Sequence, residues 1–156
     1  MLELDTQLIH YDTSSTWYAQ ELTLRKKILR TPLGLTLTDN DTITDSQSEH
    51  FGIVSAPHSP VTPPQLIACV ILTPQNATHY KLRQMAVASE YHGQGLGRRL
   101  IAHVEKYLLT LGVTELTMHA RQSALDFYIK LGYHTVGETF TEQTIPHVRM
   151  TKRLTS

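Results

Sequence analysis

The chain has 156 residues, with 14 Lys and Arg against 14 Asp and Glu, and its apolar fraction of 40% is that of a globular protein. This length favours one domain, and the zero formal charge argues against a broad polyanion-binding surface, since proteins that track nucleic-acid phosphates carry a basic excess. The single cysteine cannot form an internal disulfide, which favours a reducing compartment. No apolar run approaches the roughly 18–20 residues of a membrane span, and no signal-peptide pattern opens the chain. We therefore expect a cytoplasmic protein that binds neither nucleic acid nor membrane.

The first half of the chain predicts a strand, a helix and two further strands. Apolar residues at helical spacing follow Ser14 and Ser15, either of which could cap the helix, and Pro32 and Gly34 would end it. The elements are a strand at 3–10, a helix reaching Arg30, a polar loop at 36–50 that could include a short helical turn, and strands at 51–56 and 66–73. The last of these is continuously apolar, as in a strand buried on both faces. The proline-rich segment 57–65 indicates a long connection.

The second half alternates strands and helices more regularly. An apolar stripe from Leu96 to Leu111 predicts an amphipathic helix over 95–111. Around it the pattern predicts strands at 79–88, 115–119, 133–140 and 148–154 and a second helix at 123–131. The strand–helix–strand order between about residues 80 and 120 indicates a parallel pair in a mixed α/β sheet.

Gly93, Gly95 and Gly97 follow a predicted strand and lead into the amphipathic helix. Glycine lets backbone N–H groups approach a ligand closely, and a helix N-terminus adds unpaired donors and partial positive charge. Such a turn suits a phosphate or pyrophosphate. The Lys–Ser/Thr pair of the Walker loop and the G-x-G-x-x-G of the dinucleotide-binding fold are both absent.

The turn HGQGLG, which begins at His92, resembles the acetyl-CoA loop [RQ]-x-x-G-x-[GA] of the Gcn5-related N-acetyltransferases (GNAT), with His in the place of Arg or Gln. The stretches LRQMAV at 82–87 and ALDFYIKLGY at 124–133 resemble the fourth strand and a later helix of that family. Pieces near residues 25–34, 116–121 and 145–150 are similar to the ElaA-type subgroup of small bacterial acetyltransferases. The resemblance implies a mixed, mostly antiparallel sheet flanked by helices, with a parallel, splayed pair at strands four and five, in one N-acetyltransferase domain over residues 1–156.

The resemblance also implies a reaction. Acetyl-CoA would be the cosubstrate, and the primary amine of a small molecule would attack it directly in a ternary complex, with no metal. A protein or peptide amine as acceptor and a non-catalytic acyl-CoA-binding regulatory module are the alternatives. The protein would act as a monomer or a homodimer.

The resemblance places the cofactor along the fourth strand, the glycine turn and the start of a helix. The implied cofactor-binding residues are Met85, Ala86, Val87, His92, Gly93, Gln94, Gly95, Leu96, Gly97, Arg98 and Arg121. A backbone N–H of the splayed strand would polarise the thioester oxygen.

Tyr128 occupies the position where the family often has its general acid, which would protonate the leaving thiolate. The base stays open among His119, Glu142 and His147. Of these, His147 is favoured for substrate contact, because the preceding proline fixes the local backbone.

The acceptor site is expected beside the first helix. Arg25, Arg30, Gln84 and His147 are the candidate substrate-binding residues. The two arginines would suit an acidic acceptor, whereas the acidic stretch 39–49 would suit a cationic amine, so the charge of the acceptor stays open.

Overall fold

The computed structural model describes residues 5–55 and 63–155, and its seven strands form one mixed sheet in the order β1-β2-β3-β4-β5-β7-β6. The strands are β1 (Thr6–Tyr11), β2 (Glu49–Ser55), β3 (Gln65–Pro74), β4 (His79–Val87), β5 (Glu115–Arg121), β6 (His134–Glu142) and β7 (Ile145–Arg153). Only β4 and β5 are parallel among the neighbouring strands described. The mixed, mostly antiparallel sheet that the sequence predicts is confirmed.

Helices cover both faces of the sheet. They are α1 (Thr16–Arg25), α2 (Asp39–Thr42), α3 (Leu96–Thr110) and α4 (Leu125–Lys130). The apolar stripe of α3 packs into the larger core, whereas Leu24 of α1 packs into a smaller cluster with Cys69 and Ala86. The strand β3 is buried along all its length except its two ends, as its apolar run predicts. Leu111 is the exception in the stripe of α3, because it lies past the end of the helix and is exposed.

The first helix differs from the prediction of one continuous helix ending at Arg30. Ser15 caps α1 by accepting a hydrogen bond from the backbone N–H of Trp17, but α1 ends at Arg25 and the next five residues, Lys26–Arg30, form a π-helical turn. Residues five apart lie on different sides of an α-helix, whereas the i→i+5 hydrogen bonds of a π turn bring them to one side. The turn therefore directs Arg25 and Arg30 toward the same neighbours.

Those neighbours lie in the polar stretch 36–50, which is more ordered than the predicted loop. It contains α2, a 3₁₀ turn at Asp45–Gln47 and the first residues of β2. Thr38 and Asp41 form a capping box, in which the backbone N–H of Thr38 donates to the Asp41 carboxylate at 2.8 Å. The start of the first predicted strand, the last residue of the strand predicted at 51–56, and residues 57–62 of the predicted connection lie outside the described residues.

The parallel pair β4–β5 separates soon after it begins. Its ladder has three residue pairs and ends at Lys81 and Thr117, although β4 continues to Val87. On its other side β4 shifts register against β3 between Cys69 and Ile71, and Gln84 has a left-handed backbone with φ of 57°. This β-bulge turns the second half of β4 away from β5 and opens a gap in the sheet.

Candidate active site

The gap between β4 and β5 opens into a cleft of about 1120 Å³. Its walls are the second half of β4, the end of β5, the π turn after α1, the glycine turn before α3, and α4. The cleft therefore connects the two faces of the sheet at the point where β4 has lost its parallel partner.

The glycine turn forms one end of the cleft. Gly93 and Gly95 both have φ of 78°, and nothing lies within 4 Å of the Cβ position of either residue. Gly95 is the N-cap of α3, so the unpaired N–H groups of the first helical turn face this end. At Gly97 the absence of a side chain is explained by packing instead, because a Cβ there would lie 3.3 Å from the Phe127 ring. Within the described residues, no other side chain therefore covers the backbone at Gly93 and Gly95.

Most residues expected to bind the cofactor line this cleft. They are Met85, Ala86, Val87, His92, Gly93, Gly95, Leu96, Gly97, Arg98 and Arg121. Gln94 is exposed and does not line the cleft. His92 also holds the turn against the sheet, because its Nε2 donates to the carbonyl of Val87 at 2.7 Å.

Tyr128 of α4 lies in the wall of the cleft and is 6% exposed. Its hydroxyl has no hydrogen-bond partner among residues 5–55 and 63–155, and burial raises its pKa above the usual range for a phenol. The group is therefore protonated at neutral pH and available to donate.

The three candidate bases come together around Glu142. Nδ1 of His119 donates to Glu142 Oε1 at 3.0 Å, and Nε2 of His147 lies 3.8 Å from Glu142 Oε2. Nδ1 of His147 donates to the carbonyl of Ile145 at 3.0 Å, which leaves its Nε2 unprotonated in the neutral ring. All three side chains line the cleft. The register brings them together, because Arg121, two residues after His119, pairs with His147.

Arg25 does not reach the cleft, which corrects its expected role as a substrate-binding residue. Its side chain is fully buried, and Nη1 donates to Glu21 at 3.0 Å and to Asp45 at 2.7 Å. The Nε atom donates to Gln84 Oε1 at 3.3 Å. Burial opposes the charge of Arg25, but the hydrogen bond and charge of Asp45, followed by those of Glu21, outweigh it and raise its pKa. Arg25 is therefore a positioning residue beneath the bulge of β4.

Arg30 and Gln84 do line the cleft. Nη2 of Arg30 donates to Asp41 at 2.7 Å, whereas its buried Nε has no hydrogen-bond partner in the described part of the chain. Asp41 and Asp45 thus neutralise the two arginines of the first helix. The opposite charges that the sequence suggests for the acceptor site are largely bound to one another.

Lys81 and Arg83 of β4 also line the cleft, although they are not among the site residues predicted from the sequence. Both are half-buried, and burial lowers the pKa of each. The signal that could have found them is the alternation of β4, whose polar residues Lys81 and Arg83 alternate with the apolar Tyr80 and Leu82.

None of the helices within residues 5–55 and 63–155 combines the length and apolar character needed to cross a bilayer. Within the same ranges, no group of three or more His, Cys, Asp or Glu side chains is arranged to hold a metal ion.

Residues 63–154 match the family model described as an acetyltransferase (GNAT) domain. The protein YyaT of Bacillus subtilis (strain 168) is 35% identical over 74 residues, which are 47% of this chain and 50% of YyaT. The aligned part of the chain thus spans about half the length of YyaT, and it spans the same share of a second relative from that strain.

Solved structures share the fold over almost the whole chain. Escherichia coli ElaA superposes with a TM-score of 0.74 and 17% identity, covering 96% of this chain and 99% of ElaA. A GNAT family acetyltransferase from Elizabethkingia anophelis, determined with acetyl-CoA bound, superposes with a TM-score of 0.70 and 16% identity, covering 96% and 98%.

Proposed function

The chain belongs to the GNAT family of acetyltransferases, and on that premise we propose that it transfers an acetyl group from acetyl-CoA to the primary amine of a small molecule. The observation that carries this proposal is the β4–β5 gap, which has an open glycine turn at one end and Tyr128 in its wall. The strands β1 and β2, which precede the family match, belong to the same sheet, so we propose one domain that includes them.

The turn and the second half of β4 would hold the cosubstrate. The pyrophosphate suits the open backbone at Gly93 and Gly95 and the N-terminus of α3. The pantetheine arm suits the edge of β4 beyond Lys81, where β5 no longer pairs with it, so that the backbone of Met85 and Val87 can bond to its amides. The acetyl-CoA bound in the Elizabethkingia anophelis relative supports this cosubstrate.

The reaction follows from that position. The amine nitrogen attacks the thioester carbonyl, a C–N bond forms, and the C–S bond breaks. A backbone N–H of the splayed segment stabilises the developing oxyanion. Tyr128 donates its proton to the departing thiolate, and solvent returns a proton to the phenolate.

The amine must lose its own proton before or during the attack. Glu142 and, in the neutral ring, Nε2 of His147 face the cleft as proton acceptors, and His119 holds Glu142 in place through its hydrogen bond. We propose His147 as the residue in contact with the amine and Glu142 as its partner in proton transfer.

Two measurements test the proposal together. Titration calorimetry with acetyl-CoA should give saturable binding, and free thiol should appear only when an amine is added. The amine panel should contain simple amines, polyamines, amino acids and short peptides. Thiol release with peptides alone would move the acceptor to the protein class. Acetyl-CoA binding without amine-dependent thiol release would leave a non-catalytic acyl-CoA-binding module.

A further inference from the structure

The acids near the acceptor side of the cleft are mostly neutralised by arginines of the first helix. Asp45 pairs with Arg25 and Asp41 pairs with Arg30, each at 2.7 Å. These carboxylates therefore have little charge left to attract a cationic acceptor. Of the carboxylates that line the cleft in the described ranges, Glu142 is the one without an arginine or lysine partner.

Basic side chains, in contrast, lie on one face of the sheet at the narrow end of the cleft, where β4 and β5 still pair. Lys81 and Thr117 form the last pair of the β4–β5 ladder, and Arg83 lies two residues further along β4 on the same face. His119, two residues beyond Thr117, shares that face and pairs with Arg149 of β7. Lys81, Arg83 and Arg149 are thus basic residues of one face, although the whole chain has no net charge.

The charges of Lys81 and Arg83 have no carboxylate in hydrogen-bond contact within the described residues. Lys81 makes no hydrogen bond or ion pair there, although it is half-buried. Arg83 donates to two neutral oxygens, the hydroxyl of Thr44 at 2.8 Å and the carbonyl of Asp41 at 3.5 Å. Glu142 lies close enough to act on both charges, and Asp41 and Asp45 act on that of Arg83, but none of these carboxylates contacts either side chain. An anion bound between the two side chains would therefore add the hydrogen-bonded counter-charge that they lack.

We infer that the amine acceptor carries a carboxylate, which Lys81 and Arg83 bind at the narrow end of the β4–β5 cleft, with the ammonium on the side of Glu142. This inference rests on the proposed function, because it names the class of the acceptor. A zwitterion such as an amino acid has both charges that this arrangement complements. A phosphate in place of the carboxylate has the same sign of charge, and the test separates the two.

The test compares amines that differ only in the anion. An amino acid, its carboxamide and an aminoalkyl phosphate of similar length would be used as acceptors in the thiol-release assay. We expect kcat/KM for the amino acid to exceed that for its carboxamide by about tenfold or more, which is the range of charge-assisted hydrogen bonds. Equal values, or a preference for the carboxamide, would overturn the inference. A clear preference for the phosphate would overturn the assignment to carboxylates.

Variants test whether these two side chains cause the preference. Lys81→Met should raise KM for the amino acid about tenfold without changing KM for the carboxamide, and Lys81→Arg should keep the preference. Arg83→Met should have the same selective effect as Lys81→Met. Lys106→Met, which removes a charge from the exposed surface of α3, is the matched control and should change neither KM. An unchanged preference in both methionine variants would contradict the site.

Binding of acetyl-CoA separates this inference from the proposed function. All the variants should bind acetyl-CoA with the affinity of the unmodified protein. If the unmodified protein neither binds acetyl-CoA nor releases thiol with any amine, the proposed function fails and the inference fails with it. If it acetylates amines without regard to a carboxylate, only the inference fails.

Discussion

Arg25 donates from Nε to Oε1 of Gln84 at 3.3 Å, and this hydrogen bond joins a buried ionic network to the β-bulge that opens the active-site cleft. The left-handed backbone of Gln84 is unfavourable for a residue with a side chain, so surrounding contacts must hold it. The guanidinium of Arg25 supplies one such contact and is itself fixed by Glu21 and Asp45. The opening between β4 and β5 is therefore supported by charged side chains that do not line the cleft.

Arg25→Met should destabilise the protein strongly. Removing one partner of a buried ion pair leaves uncompensated charge and costs about 3–5 kcal/mol. The free energy of unfolding in urea measures this, and Lys26→Met, at the next position but exposed, is the matched control, expected to change it by less than about 0.5 kcal/mol. A loss in Arg25→Met no larger than in the control would show that the network does not stabilise the fold.

His50 makes the stability of this network depend on pH. Its Nδ1 lies 2.8 Å from Glu21 Oε1 and its Nε2 lies 2.7 Å from the carbonyl of Asp45, and both partners can only accept. The ring must therefore carry two protons, so His50 and Arg25 together balance the charges of Glu21 and Asp45. Burial opposes this charge, but the hydrogen bond and charge of Glu21 outweigh it and raise the pKa of His50 above its usual value of 6.5.

The direction of the pH dependence follows from that shift. A group whose pKa is raised on folding contributes its full stabilisation below the unfolded pKa, here about 6.5, and loses it as pH rises through the folded pKa. The free energy of unfolding should thus fall as the pH rises above about 6.5, and His50→Gln should lower it at pH 6 and remove that part of the slope. His134→Gln, at an exposed histidine, should keep the slope. An identical pH profile for His50→Gln would refute this assignment.

Gly95→Ala tests the glycine turn as a binding site. Gly95 and Gly112 lie at opposite ends of α3 with φ of 78° and 79°, and both have open space at the Cβ position. Alanine in this conformation costs roughly 1–2 kcal/mol at either site, so the two variants should lose similar stability. Only Gly95→Ala should weaken acetyl-CoA binding, by about tenfold or more, since its Cβ would meet the ligand.

The comparison with Gly112→Ala separates a direct effect on acetyl-CoA binding from the effect of backbone strain. Calorimetry should show a normal dissociation constant for acetyl-CoA in Gly112→Ala despite the equal strain. If both variants bind as tightly as the unmodified protein, the turn does not hold the cosubstrate.

The local elements were predictable from the sequence because their signals are local. The stripe of α3 and the apolar run of β3 each bury a surface that periodicity reveals, and both are confirmed. The glycine turn before α3 was predictable for the same reason, since glycines between a strand and an amphipathic stripe mark a turn.

The contacts of the acceptor side could not be predicted, because they depend on distant parts of the chain. Arg25 contacts Asp45 only after the acidic stretch folds over α1. The π turn then brings Arg30 to the same side as Arg25, where it contacts Asp41. Glu142 meets two histidines because of a strand register that no single segment encodes. A sequence shows which charges are available, but it does not show which of them neutralise each other.

Tyr128→Phe should reduce turnover while acetyl-CoA binding stays nearly constant. Loss of a positioned proton donor lowers kcat by about 10²–10⁴-fold, whereas the phenyl ring keeps the packing. Tyr133→Phe is the matched control, because it removes a hydroxyl that donates to Glu105 at 2.8 Å outside the cleft. The control should lose about 1 kcal/mol of stability and keep its kcat. Unchanged turnover in Tyr128→Phe would exclude the phenol as the acid.

His147→Gln should lower kcat or raise KM for the amine, because Nε2 of His147, the nitrogen that can accept a proton in the neutral ring, faces Glu142 across 3.8 Å. We expect kcat/KM for the amine to fall by about 10²-fold, the lower range for loss of a positioned base, with the dissociation constant of acetyl-CoA unchanged. His79→Gln is the control, since His79 contacts Thr117 at 2.8 Å and does not line the cleft. Steady-state kinetics with varied amine measure both parameters. If His147→Gln behaves like His79→Gln, proton removal must proceed through Glu142 or solvent without this ring.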